Sequence, residues 1–244
     1  MARRPTTPTR LNAANLAMLG ATRLAELLAE ASVGDANLKR RLRLELAAEA
    51  GPERLAAEID KRIAALAAAR VRVSWRKRGE LIRDLEAHRR MIVERLGPAD
   101  ARTALASLLS WFDLFRGLST RVQDPRGELV LAFEGAAADL WTLAEAAVAT
   151  DPAVLRDLAS AVARHPQDYA RWIGAAGEAL TPALAARLLT ALPPALRSAR
   201  PARGAIRRLA DRAGDLDLWL SLATPEETGS PDFAAGAARR LLAA

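Results

Sequence analysis

No stretch of this 244-residue chain alternates apolar with polar residues at period two; where apolar residues recur, they do so at spacings of three and four. A half-buried strand needs the first pattern and an amphipathic helix the second. The chain is therefore expected to be all-α, built of antiparallel helical hairpins. Alanine makes up about a quarter of the residues, and β-branched and aromatic residues are scarce, which points the same way. At this length, with 51% apolar residues, a core can form without metal or disulfide support. There is no cysteine, which excludes disulfides, thiolate metal sites and cysteine nucleophiles and fits a reducing, cytoplasmic setting. The longest uncharged run, Leu11 to Thr22, is broken by Asn12 and Asn15 and is too short and polar to cross a bilayer or to form a signal peptide's apolar centre.

Start and stop signals divide the chain. Residues 1–10, rich in Arg, Pro and Thr, read as a flexible arm. Residues 11–192 read as a helical body, and 193–244 as looser C-terminal helices, either separate from the body or continuous with it. Within the body Asn12, Thr22 and Asp35 open three helices, the third with a stripe of Leu38, Leu42 and Leu46. Pro52 starts a fourth, whose Leu55, Ile59, Ile63 and Leu66 share a face. Ser74 is positioned to cap a fifth. Its Leu81, Leu85, His88 and Ile92 fall on one side, and Arg76, Arg83 and Arg90 on the other, partly neutralised by Glu80, Glu86 and Glu94. A sixth carries Leu105, Leu108, Leu109, Trp111, Phe112, Leu114 and Phe115, the expected centre of the core.

Later helices are expected at 128–149, 152–164, 167–179, 182–192, 205–213 and 216–222, with the last from Pro231 onward. Pro98, Pro125, Pro152 and Pro182 recur at about the length of a helical hairpin, so a helical repeat or irregular α-solenoid is one arrangement and irregular hairpin packing another. Leu192 to Gly204, with Pro193, Pro194 and Pro201, is the clearest break. The apolar face of Phe233 to Ala244 has no later helix to cover it. It either folds back or awaits a partner segment.

Charge supplies the one local anomaly. From Lys61 to Arg78 there are seven basic residues and no acidic one, equal to the whole net charge of +7. Arg70 and Arg72 follow a helix C-terminus, where cations are favoured. Arg76, Lys77 and Arg78 open the next helix, where the dipole disfavours them. That conflict makes Lys39, Arg40, Arg43, Arg70, Arg72, Trp75, Arg76, Lys77 and Arg78 the candidate residues for an anionic partner. The three on the third helix join the patch if helices three to five lie side by side. Of the five tryptophans, Trp111, Trp141, Trp172 and Trp219 read as packing residues. Trp75, among the cations, could instead stack on a base or a guanidinium.

The runs Asn12-Ala13-Ala14-Asn15-Leu16, Leu38-Lys39-Arg40-Arg41-Leu42-Arg43, Gly51-Pro52, Ile59-Asp60-Lys61-Arg62-Ile63, Ser74-Trp75-Arg76-Lys77 and Asp84-Leu85-Glu86 are similar to an uncharacterised, all-helical bacterial family known as a domain of unknown function. The likeness is clearest over residues 11–120. It implies the helical fold and a recurring basic corner, and no activity, cofactor or catalytic residue. Longer members carry tetratricopeptide-like helices after the segment similar to Phe233 to Leu242, so the likeness also implies a C-terminal end that is short.

For catalysis only Asp84, one turn before His88, offers a pair of the kind that orients a general base; His165 stands far off in sequence. No serine elbow, glycine-rich phosphate loop or histidine–carboxylate metal spacing accompanies it, so no enzyme, cofactor or metal is expected. The expected role is a non-catalytic interaction module, a scaffold or adaptor. Its partner is a protein, met on a concave face or at the C-terminal helix. The alternative is non-specific nucleic-acid binding through residues 61–78. No helix-turn-helix, RNA-recognition or basic-zipper pattern points to base-specific readout.

Overall fold

A computed structural model describes residues 10–243; the arm expected at 1–10 lies almost wholly outside them. The chain forms two compact units, one reaching to Leu46 and one from Ala47 onward. Among the described residues every regular element is helical; the only β pairing is an isolated bridge.

The first unit holds α1 (Ala13–Ala17), α2 (Ala21–Gly34) and most of α3 (Ala36–Glu49). Asn12 Oδ1 accepts from Asn15 N at 2.9 Å, and Asp35 Oδ1 accepts from Asn37 N and Leu38 N, so both expected caps form. Gly20, at φ +80°, a conformation open to glycine, and not Thr22, turns the chain into α2. On α3 the expected stripe holds only in part, with Leu38 and Leu42 half-buried. Leu46 is exposed, while Leu44 and Ala47 are buried.

The second unit begins with α4 (Pro52–Ala68) and α5 (Trp75–Met91). The latter runs on through a π turn (Ile92–Leu96) into the single turn α6 (Gly97–Ala99) and then α7 (Ala101–Arg121). All four expected face residues of α4 are buried, as are Leu81, Leu85 and His88 of α5 and Ile92 of the π turn. Gly97 gives close packing, since a Cβ there would lie 2.9 Å from the end of the Leu143 side chain, which would have to shift. The chain continues through α8 (Glu128–Gly135), α9 (Ala137–Thr150), α10 (Val154–Arg164), α11 (Pro166–Gly174) and a 3₁₀ turn (Gly177–Ala179). It ends with α12 (Pro182–Ala191), α13 (Pro194–Arg197), a second 3₁₀ turn (Arg200–Ala202), α14 (Arg203–Ala213), α15 (Leu216–Ser221), α16 (Pro225–Thr228) and α17 (Pro231–Ala243).

The helix expected over 128–149 is two, broken at Ala136 after the poorly helical Gly135. Pro125 and Pro152 lie in turns ahead of their helices, whereas Pro182 occupies a first helical turn.

As expected, α7 is the centre of the core. It packs against α4, α9, α10 and the π turn, and its Trp111, Phe112 and Phe115 gather with Phe133 of α8 and Trp172 of α11, ring centroids 4.2–5.9 Å apart. Two of the buried indoles also satisfy their polar ends. Trp111 Nε1 donates to Leu85 O at 3.1 Å, and Trp141 Nε1 donates to Trp172 O, a carbonyl of the last turn of α11, at 3.0 Å.

Further on, α14 lies against α11 and α12, so the Pro-rich stretch 192–204 is a tight reversal within this unit. The terminal helix α17 folds back onto α15. Phe233 stacks on Trp219 at 5.0 Å and Arg240 holds Asp211 through two nitrogens, while Leu241 and Leu242 remain exposed.

Candidate anionic-partner interface

The corner after α4 is held rigid by its backbone. Arg121, at the end of α7, donates through Nη2 to Leu66 O at 2.7 Å and through Nη1 to Val71 O at 3.3 Å, satisfying a terminal carbonyl of α4 and one of the connector. Val73 then pairs with Val122 in a one-step parallel bridge: Val73 N donates to Arg121 O at 2.9 Å and Gln123 N to Val73 O at 3.0 Å. Helix α5 starts directly after. Ser74 occupies the cap position, but its hydroxyl makes no capping bond; its carbonyl accepts from Lys77 N and Arg78 N.

The seven basic residues of the stretch separate into two groups. Lys61 pairs with Glu58 at 3.8 Å, and Arg62 donates through Nε and Nη2 to Asp84 Oδ2 at 2.8 and 2.6 Å. Arg78 corrects the sequence expectation. It is 8% exposed, and its guanidinium meets Glu128, Asp124 and the carbonyl of Gln123, so it fastens the 123–128 turn to α5 and is not available to a partner. Reversing its charge would attack the fold. By contrast, no carboxylate among the described residues lies within ion-pair distance of Arg70, Arg72, Arg76 or Lys77. These four are solvent-facing or nearly so. Elsewhere in the unit both arrangements occur: Arg89 is paired with Asp139, Arg102 with Asp151, Arg116 with Asp168 and Arg164 with Asp113, whereas Arg83, Arg90, Arg126 and Arg156 have no carboxylate within ion-pair distance among the described residues.

Trp75, between Arg72 and Arg76 in sequence, is 60% exposed, with the Arg76 guanidinium 5.2 Å from its ring centroid. The other four tryptophans are 6% exposed or less. Two basic residues that sequence order could not associate with this corner are brought to it by the bridge and by Arg78. Arg121 is pushed below its ordinary value by burial and then by the neighbouring charge of Arg70. Arg126 is exposed in the turn that Arg78 holds. Their only sequence signal was arginine itself, which is everywhere in this chain.

Arg83 and Arg90 are exposed on the outer face of α5 as expected, but the pairs with Glu80, Glu86 and Glu94 are not formed. Lys39, Arg40 and Arg43 belong to α3 in the first unit, where Lys39 and Arg43 are exposed and Arg40, half-buried, donates to Asn37.

The pair Asp84 and His88 is fully packed. His88 Nδ1 lies 2.7 Å from Asp84 O, and the Asp84 carboxylate takes both nitrogens of Arg62, with Asp84 and His88 respectively 5% and 3% exposed. His165 Nε2 stands 3.8 Å from Asp113, whose other oxygen accepts from Arg164 at 2.5 Å. Among the described residues no group of histidines and carboxylates has the spacing of a metal site, and no helix is long and apolar enough to cross a membrane.

No curated protein and no solved structure matches the chain. A family model does match, and its pattern runs across the first unit, the basic corner and the core up to the Pro-rich reversal. The chain belongs to the family of unknown function DUF6880, whose pattern covers residues 6–201.

Proposed function

We propose that this chain is a non-catalytic helical interaction module that docks a negatively charged partner on the corner formed by Arg70, Arg72, Trp75, Arg76 and Lys77. The observation that carries the reading is the absence, among the described residues, of any carboxylate paired to those four cations on a backbone pinned by the Val73–Val122 bridge. Cations grouped without counter-charge repel one another, and an incoming polyanion relieves that repulsion while releasing its counterions.

An acidic protein segment and a nucleic acid both meet that charge, on an all-helical scaffold in which packing joins elements near in sequence, as in a stack of hairpins. The exposed indole is the feature that separates the two readings. The C-terminal helix is the weaker docking surface, because its Phe233 and Arg240 are already engaged with Trp219 and Asp211. Against catalysis stands the packing of His88 and Asp84, which serve Arg62 and the backbone of α5.

Binding of the full chain to polyglutamate and to random-sequence DNA and RNA, across a salt series, tests the reading. Affinity is expected to fall steeply with salt, and the reversal Arg70→Glu/Arg72→Glu/Lys77→Glu to abolish it while helical signal and melting temperature hold. Failure of every polyanion to bind at low salt would overturn the proposal.

A further inference from the structure

Resting on that reading, we infer that the occupant of the basic corner is a single-stranded nucleic acid, with an unpaired base on the Trp75 ring and the adjoining phosphates on Arg70, Arg72, Arg76 and Lys77. Charge alone does not choose among polyanions; the tryptophan does. Four of the five tryptophans of this chain are 6% exposed or less, and the fifth, at 60%, lies between Arg72 and Arg76 in sequence with the Arg76 guanidinium 5.2 Å from its ring centroid. A solvated indole forgoes the burial that the other four achieve. Its placement is explained by a ligand that presents a flat apolar face beside negative charge.

An unpaired nucleotide has both features one bond apart. An acidic peptide accounts for the arginines and leaves the indole without a role. In a duplex, base faces are stacked against one another and are not offered to an exposed indole. Single strands leave base faces free, and aromatic platforms flanked by cations are the general means of holding them without regard to sequence.

The Arg76 guanidinium over the Trp75 ring fixes the indole's orientation and supports one side of it. Trp75 opens a 17-residue helix whose exposed Arg83 and Arg90 follow Arg76 at steps of seven, about 10 Å each, so the cations continue in one line away from the aromatic platform. A strand laid from Trp75 along α5 would keep its backbone on that line. Glu80 and Glu94, exposed beside it, hold the affinity of this outer part below that of the corner.

The test uses the full chain and a dye-labelled single strand of mixed sequence, about 15 nucleotides long. The same sequence as duplex, and polyglutamate, serve as comparison ligands. The single strand is expected to bind most tightly, with a logarithmic salt slope of about −3 if four cations meet phosphates. Trp75→Ala is expected to weaken it about tenfold, and Trp75→Phe, which keeps an aromatic face, by much less. Because Trp75 is exposed, both variants are expected to match the parent's denaturation midpoint, which is measured alongside. Equal binding of duplex and single strand with no effect of Trp75→Ala overturns the single-strand inference and leaves the anionic-partner reading standing. Binding of polyglutamate alone does the same and identifies the partner as acidic protein. If none of the three binds at low salt, both fall.

Discussion

Arg78 on α5 and Glu128 in the first turn of α8 meet through both ends of each group: Nε donates to Oε2 and Nη2 stands opposite Oε1, each at 2.9 Å. Such a two-point pair fixes relative orientation as well as distance. With Nη1 on Gln123 O at 2.9 Å, every edge of this nearly buried guanidinium is occupied. A residue that belongs by charge to the basic corner thus builds the platform on which the corner stands.

The first prediction follows. Arg78→Ala leaves Gln123 O without its donor and removes the charge that Asp124 and Glu128 face. A fully buried pair broken in this way costs about 3–5 kcal/mol; with the Glu128 side chain 40% exposed, about 2–3 kcal/mol is expected. Arg78→Lys, which keeps charge without the fork, should fall between the two. Urea denaturation measures both, and a loss under about 0.5 kcal/mol for the alanine variant would show that the pair is incidental.

A second prediction concerns how α7, the core helix, begins. Asp100 Oδ1 accepts from Thr103 N at 3.0 Å and Oδ2 from the Thr103 hydroxyl at 2.6 Å. The hydroxyl first, and then the amide, hold the Asp100 carboxyl below its ordinary value of 3.8. Asp100→Ala should cost about 1 kcal/mol at neutral pH. A carboxyl lowered on folding takes up its proton first in the unfolded chain. Its contribution is therefore complete above pH 3.8 and fades as pH falls through and below that value. The stability gap between parent and variant should narrow there. A constant gap down to acid unfolding would contradict the cap.

Much of this architecture is legible in the residues because burial repeats. Ile59 and Ile63, or Leu81, Leu85 and Ile92, can share a buried face in only one way along a helix. Burial along α3 was legible only in part. With leucines at 38, 42, 44 and 46, two stripes compete, and Leu44 is buried while Leu46 is exposed. Nor did periodicity reveal the break at Ala136, since both halves of that segment are apolar on several sides.

The candidate site divides along the same line. The run of cations on either side of Trp75 is visible in the residues, but the fate of Arg78 depends on Glu128, fifty residues away, and Arg121 arrives through a bridge between two single residues. Local sequence carries local chemistry; long-range pairing decides which charges remain free.

The last prediction uses Tyr169, the one tyrosine of the chain, 1% exposed on α11. Burial, and next the Asp113 carboxylate, raise its pKa well above the ordinary 10.0. The folded protein should therefore show no tyrosinate absorbance as pH passes 10, and the absorbance should rise only together with loss of helical signal. The sign of the linkage is fixed. A group whose pKa is raised on folding adds stability that is complete below its unfolded value of 10.0 and is lost as pH climbs beyond it, because the unfolded chain releases the proton first. Tyr169→Phe keeps the ring and removes the group that ionises. At neutral pH its stability should match the parent within about 0.5 kcal/mol, since the Tyr169 hydroxyl makes no hydrogen bond among the described residues. Above pH 10 the variant should lose less stability than the parent. Ionisation near pH 10 with helical signal intact would show that Tyr169 reaches solvent in the native state and that the junction of α10 and α11 opens far more readily than its packing implies.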